Sequence, residues 1–432
     1  VAFGELVKRH VVDTRPLGVP AYRRLWFGQA VSHVGVGATV VAVGQQVWEL
    51  TQSSFWVGLL GMANLVPLIV FGLWGGAVAD AVDRRKLLIV GSVIAWAATL
   101  LILVQALLGL RDIWLIFAAV AFNATGFAIT GPTRGAIIPR ILDRELVPAA
   151  NALNSLVYSI GAVAGPMLGA VVLASGGFAA AYAVDALLFT GSLYAALRLP
   201  SLPPLGEVTR PGARAVLEGL SFIARSPVLL MSFVVDIIAM VFAMPRALFP
   251  ELTADRFGGS MIALGWMTSA MAIGSVAGAL FSGWVGRVSR QGVALVVVIA
   301  VWGLAVAAAG LVHELWLVVA FMAIGGVADV ISSVWRQSIL QLYAPDEMRG
   351  RLQGAFMVVV AGGPRLGDLR AGATATAFGL SGAWVGGGIA CMVTVLVVGL
   401  SVAGFRNFRA QQTAQDTGKA APGTDQTAPE TG

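Results

Sequence analysis

Cysteine is all but missing from this chain of 432 residues: Cys391 stands alone. No intrachain disulfide can form, which excludes a disulfide-stapled secreted scaffold. Charge is also scarce, at 12% Asp, Glu, Lys and Arg against roughly 25% in a soluble domain. Histidine occurs only as His10, His33 and His313. With no HExxH pattern and no paired Asp-rich motif, the chain lacks the ligands and bases of a metal site or a membrane-embedded enzyme. The absence of a GxxxxGK[ST] phosphate loop argues against a primary pump, and no filter-like sequence suggests a channel. No cofactor and no metal are implied. The segment up to Arg24 has basic residues but no short apolar stretch ending in a small-residue cleavage site, so the first apolar run is expected to stay in the mature protein.

What is abundant is apolar surface. Hydrophobic residues make up 58%, joined by 53 glycines, and the mean hydropathy is +0.84. A disordered chain or a soluble enzyme with a small anchor is thereby excluded, and the solvent must be mostly lipid. At about 20 residues per span plus short loops, the length holds about twelve spans. Apolar runs fall at about 25–48, 55–79, 86–108, 113–138, 147–173 and 177–199, then at about 227–250, 261–286, 291–311, 315–338, 352–377 and 381–404, each near the length of one span. The eleventh is interrupted by Gly362, Gly363, Pro364, Arg365, Asp368 and Arg370. The expected organisation is an N-terminal segment 1–24, a six-helix half 25–199, a linker 200–226, a second half 227–404 and a disordered tail 405–432 with no apolar periodicity.

The scarce cations carry the orientation. With twelve spans both termini share one side, and the segments of that side hold 23 of the 28 Lys and Arg against 5 on the other. The positive-inside rule then makes both termini cytoplasmic. The net charge of +6 is an orientation signal, too scattered for nucleic-acid binding. In the linker, Arg214, Glu218, Ser221 and Arg225 recur at helical spacing with Leu217, Leu220 and Ile223 between them. This reads either as a helix lying in the membrane interface or as an extension of the seventh span.

Half the chain echoes the other half. Arg134, Ile137 and Glu145 after the fourth span match Arg336, Ile339 and Glu347 after the tenth, at an offset of 202. Gly165-Pro166-x-x-Gly169 matches Gly363-Pro364-x-x-Gly367 at an offset of 198. Two blocks in the same order at equivalent spans point to a six-plus-six duplication.

These features resemble the major facilitator superfamily over about residues 20–408. The loop Gly76-Ala-Val-Ala-Asp80-Ala-Val-Asp83-Arg84-Arg85-Lys86 is similar to the superfamily signature between the second and third spans, with Asp83 where the family usually has Gly. Pro132-x-Arg134, Ile138-Pro139 and Ala149-Ala150-Asn151-Ala152-Leu153-Asn154-Ser155 resemble the group of secretion transporters that includes the bacterial enterobactin exporter. The resemblance implies an all-α membrane fold of twelve helices in two parallel six-helix halves, with a substrate site near the midplane between them. It implies a gating role for Asp80 beside Arg84 and Arg85, whose contacts would exist in one state only. Gly161-x-x-x-Gly165-Pro166-x-x-Gly169 permits close helix packing by itself; by resemblance it is the antiporter signature of exporting members.

Ionisable groups at membrane depth are costly and are usually functional or paired. The resemblance makes the first, fourth, seventh and tenth helices line the cavity, which puts forward Asp236 and Asp329 as proton-coupling candidates. Each has a plainer reading as a buried, hydrogen-bonded structural acid. Arg134 and Arg336, at matching helix ends, suit gating or anchoring. Asp185 reads as structural, and Arg365 and Asp368, three apart, as a structural ion pair. Gln45, Gln46, Asn123 and Tyr158 are substrate-cavity candidates, although interhelical hydrogen bonding is the commoner use of such residues. The function expected is a monomeric secondary exporter in a bacterial-type cytoplasmic membrane. It would move a small hydrophobic or amphipathic molecule, drug- or siderophore-like, against protons. Its partners are that substrate, protons and the lipid bilayer. An importer of the same fold is the alternative.

Overall fold

In lipid a spanning segment must satisfy its own backbone hydrogen bonds, and the helix is the way to do so within one segment. The computed structural model describes residues 13–203, 213–345 and 348–409, with the side chains of 72–81, 213–216 and 349–350 outside that description. Among the described residues there are only helices, turns and short connections, with no strand. The first half comprises α1 (Pro20–Thr51), α2 (Ser54–Ala81), α3 (Arg84–Leu107) and α4 (Ile113–Ile141), followed by a continuous stretch Val147–Leu197. Gly177 breaks that stretch (φ 70°, ψ −170°) into α5 (147–176) and α6 (178–197). After the linker helix α7 (Ala213–Arg225) come α8 (Pro227–Ala243), the short α9 (Phe249–Arg256), α10 (Met261–Leu280), α11 (Gln291–Leu311) and α12 (Leu315–Tyr343). A second long stretch, Arg349–Ser401, breaks at Gly379 (φ 73°, ψ 169°) into α13 (349–378) and α14 (380–401). The ten long apolar helices among the described residues thus resolve into twelve spanning stretches.

The two breaks are equivalent. Gly177 and Gly379 lie 202 residues apart, and both occupy a backbone region open essentially to glycine alone. Each joins two helices through one residue. The halves also repeat their packing. Gly161, Gly165 and Gly169 of α5 press on α1, where a Cβ on Gly165 would stand 2.7 Å from Gly37 Cα. In the second half, Gly363 of α13 presses on Met240 of α8 in the same way.

Two boundaries differ from the sequence reading, and a third was left open by it. The seventh span, expected to run to 250, stops as an α-helix at Ala243. Pro245 disfavours helical backbone at the residue before it, and Met244 is extended (φ −91°, ψ 111°). Arg370 occupies the carbonyls left open there: its Nε donates to Val241 O at 2.9 Å and its guanidinium also contacts Phe242 O. The eighth span ends at Leu280 and passes into a 3-10 turn, Ser282–Arg287. The linker helix is separate from the seventh span, because Ser226 is extended (φ −105°, ψ 108°) and Pro227 starts α8. It docks on the second half through Arg351–Glu218 at 2.7 Å. Residues 204–212 and 410–432, which include most of the expected tail, lie outside the described residues.

Loops at one end are tied to each other and carry Arg84, Arg85 and Arg140: Arg84 N donates to Leu202 O at 3.1 Å, and Arg140 Nη1 to Pro203 O at 3.3 Å. We call this the basic end. At the far end Arg256 Nη1 donates to Gly310 O and Val312 O, both at 2.9 Å. The halves meet in the far half of the bundle. There Gly58 and Gly61 of α2 lie against the α13 backbone around Arg365 and Asp368, Ser54 Oγ bonds Glu251, and Ser269 Oγ of α10 donates to Val163 O of α5 at 2.9 Å.

Candidate functional site

Enclosed by these contacts is a cavity of about 240 Å3 between the halves. Its walls are largely apolar, with Val40, Val43, Leu60, Phe249 and Leu264 among them, and four charged residues line it: Asp185, Arg246, Arg365 and Asp368. Thr39 and Asn123 line it too. Asp185, buried on α6, accepts from Thr39 Oγ1 at 2.7 Å and Thr99 Oγ1 at 3.4 Å through Oδ2, while its buried Oδ1 has no partner. Arg365 Nε donates to Asn64 Oδ1 at 3.2 Å, across the halves.

A second group lies inside the second half, with Asp236 and Arg336 buried and Asp329 partly exposed. Arg336 Nη1 is in ion-pair contact with Asp236 Oδ2, and its Nη2 lies 3.8 Å from Asp329 Oδ1 and 3.3 Å from Ser332 Oγ. Asp329 and Arg336 are seven residues apart on α12, two helical turns, so both face α8. The group holds two carboxylates and one guanidinium. Breaking such a pair by removing one partner leaves a buried charge uncompensated, which costs about 3–5 kcal/mol.

The structure therefore gathers Asp236, Asp329 and Arg336, which the sequence offered separately, but away from the cavity lining. Arg134, the counterpart of Arg336, has other company: its Nη2 donates to Ser192 Oγ at 2.7 Å, joining α4 to α6. Asn123 is the one cavity candidate that lines the cavity. Gln46 bonds Gln105 at 3.2 Å and accepts from Tyr182 at 2.6 Å, so it ties helices together. Gln45 donates to Glu49 at 3.0 Å on its own helix. Tyr158 is exposed, its ring edge-on to His33 at 4.6 Å. Arg365 and Asp368 do not form the expected ion pair; both line the cavity, as does Asp185. Arg246 was missed: it falls inside the run read as 227–250, and its contribution to the cavity appears only once α8 ends at Ala243. Of the helices expected to line the cavity, α1 and α4 do so, α12 does not, and the seventh span contributes only residues beyond α8.

At the basic end, Arg84 Nη1 donates to Ala136 O at 2.9 Å and Arg85 Nη2 to Leu197 O at 2.8 Å. Gly76 and Asp80 fall in 72–81, where the structure describes the backbone alone. Asp83 ties two segments together. It caps α3 by accepting from Arg85 N at 2.8 Å, and it holds the start of the linker through Ser201 Oγ at 2.6 Å and Leu202 N at 3.2 Å. The Ser201 hydroxyl is the main cause of a carboxyl held below the usual range. A depressed pKa stabilises the fold above the unfolded value near 4 and stops doing so as pH falls through the folded one. Asp83→Ala should accordingly lower the melting temperature at pH 7, with a loss of about 0.5–2 kcal/mol expected for a helix cap. Thermal unfolding at pH 7 and pH 3 checks this, and the difference between variant and parent should shrink at pH 3.

Comparisons with known proteins agree with this geometry. Residues 13–422 match the family described as transmembrane secretion effector. The enterobactin exporter EntS of Escherichia coli (strain SMS-3-5 / SECEC) is 29% identical over 415 residues, covering 92% of this chain and 96% of that protein. EntS of Shigella boydii serotype 18 (strain CDC 3083-94 / BS512) gives the same figures. Among solved structures, the nucleoside transporter NupG superposes with a TM-score of 0.71 at 14% identity, covering 90% of this chain and 100% of that one. A bacterial homolog of the human lysosomal transporter Spinster, inward-facing and unoccupied, gives 0.70 at 16%, covering 94% and 99%. At these identities the structures speak for the major facilitator fold alone.

Proposed function

The chain belongs to the transmembrane secretion effector family and is a multi-pass membrane transporter, and from that premise we propose that it exports a small amphipathic molecule, drug- or siderophore-like, in exchange for protons. The enterobactin exporters, 29% identical over nearly their whole length, support the direction of transport. The proton exchange rests on one observation: Arg336 is shared by Asp236 and Asp329. The cluster has one carboxylate more than its guanidinium neutralises, and one bound proton makes it neutral in a medium where net charge is costly. A group that alternates between these two states between rigid helices is a proton carrier. The cavity, closed off at the far end by α2 against α13, supplies the substrate compartment of an alternating-access cycle.

Both termini lie in the cytoplasm in this reading, on the strength of the cation asymmetry. The Asp80 loop with Arg84 and Arg85 gates the basic end, Arg134 anchors α4 to α6, and the Gly161–Gly169 face lets α5 bear closely on α1.

Efflux of enterobactin and of ethidium from cells carrying the protein tests this. Cells with Asp236→Asn or Asp80→Asn should retain the substrate, and a protonophore should stop efflux in the parent. Wild-type efflux by both variants would sink the residue assignment. Efflux indifferent to the protonophore would sink the coupling, and uptake driven by the gradient would favour an importer.

A further inference from the structure

The four charges that line the cavity are incompletely satisfied by the protein, and they are sorted between the halves. Arg246 is exposed there and, among the described residues, has neither a hydrogen bond nor an ion-pair contact, although its charge acts on Asp368 from farther off. Arg365 has one bond, from Nε to Asn64. The Oδ1 atoms of Asp185, which lies against Gly35 of α1, and of Asp368 are buried and unpartnered, a condition rare enough in folded proteins to require an explanation. Asp185 is the charge offered by the first half, beside the hydroxyls of Thr39 and Thr99. Both arginines come from the second half, with Asp368. The lining therefore sums to zero: two guanidinium groups against two carboxylates.

We propose that the cavity takes a dipolar solute of no net charge, with an anionic group seated on Arg246 and Arg365, a cationic group on Asp185, and an apolar frame between them. This rests on reading the cavity as the transport site, and it narrows the substrate class given above. The argument is one of charge matching. In a low-dielectric site a buried charge is tolerated only when paired and hydrogen-bonded. A singly charged ligand satisfies one side and leaves an excess charge on the other. A wholly apolar ligand satisfies neither. A zwitterion meets both, and the Val40, Val43, Leu60, Phe249 and Leu264 walls take its apolar middle. Because its two ends lie on different halves, such a ligand also bridges the parts that must move relative to each other.

A charge-matched series on one aromatic frame tests this: tryptophan (zwitterion), tryptamine (cation), indole-3-propionate (anion) and tryptophol (uncharged). Binding is measured by calorimetry on the full chain in lipid nanodiscs at pH 7. Hydrogen bonds to charged groups lead us to expect tryptophan to bind about tenfold or more tighter than the other three. Arg246→Gln and Arg365→Gln should weaken tryptophan and leave tryptamine unchanged. Asp185→Asn should weaken tryptophan and tryptamine and leave indole-3-propionate unchanged. Arg246 is exposed, so its variant remains informative even if the buried ones fold poorly. Equal binding of the four probes, no binding of tryptophan, or tryptophan binding that none of the variants alters would overturn the proposal. Efflux assayed in parallel separates the two readings. Zwitterion-selective binding without efflux sinks export alone; efflux of ethidium with no charge-dependent binding sinks this inference alone.

Discussion

Arg336→Ala is expected to be the most damaging substitution in the second half, abolishing proton-driven efflux and lowering the melting temperature by several degrees. Asp236 would be left buried without its partner, at a cost of about 3–5 kcal/mol. Asp236→Asn should be milder in stability, because Arg336 still has Asp329 at 3.8 Å and Ser332 at 3.3 Å, yet equally inactive if Asp236 carries the proton. The pair separates structure from function when both charges go together. Arg336→Met combined with Asp236→Leu removes the ion pair and its desolvation penalty at once, and buried pairs replaced this way are often neutral or stabilising. The double variant should recover the parent melting temperature and remain dead in efflux. Recovery of efflux along with stability would mean that the cluster is only scaffolding.

Gly61→Leu should hold the far end open. A Cβ at position 61 would stand 2.9 Å from Arg365 O and 3.3 Å from Arg365 Cα. Both are backbone atoms of the other half, so neither side chain rotation nor small relaxation makes room. The neighbouring Gly58 meets the Asp368 backbone more tightly still. The whole α2–α13 contact must part, and with it the closure of the cavity. Cys391 is buried and is the sole cysteine, so a Thr268→Cys reporter in a Cys391→Ser background reads the cavity alone. Labelling by a membrane-impermeant maleimide from the far side should rise about tenfold or more in Gly61→Leu, the response to a shift of about 1.4 kcal/mol or more between states. Efflux should be lost. Unchanged labelling would show that α2 and α13 yield locally without opening the cavity.

Much of the fold was legible because the bilayer imposes a length: about 20 apolar residues cross it, and few other solutions exist. Even the interrupted eleventh run is a helix, since its polar residues turn inward, Arg365 and Asp368 to the cavity and Arg370 to the open carbonyls of Val241 and Phe242. The site was less legible. Charges in spans can be found by eye, but which of them meet depends on how each helix is rotated about its axis, and spacing along one helix does not give that. The seven-residue step from Asp329 to Arg336 carried a signal; their meeting with Asp236 on another helix did not. Gln46 and Asn123 are both amides in spans, yet one is spent on Gln105 and Tyr182 and the other lines the cavity. Arg246 was hidden because the run to 250 reads as one continuous span, whereas the helix ends before Pro245 and leaves Arg246 at the cavity.

Joined by a single residue each, at Gly177 and Gly379, the hairpins α5–α6 and α13–α14 have no slack in their connection. Neither helix of such a pair can slide lengthwise past its mate without breaking the turn. Each pair is then a strut that must travel as one piece. Since α5 faces α10 across the halves and α13 faces α2, the two struts each carry one blade of the far-end closure. A tilt of α6 beside Asp185, or of α14 beside Arg370, is thereby carried to the seam between the halves.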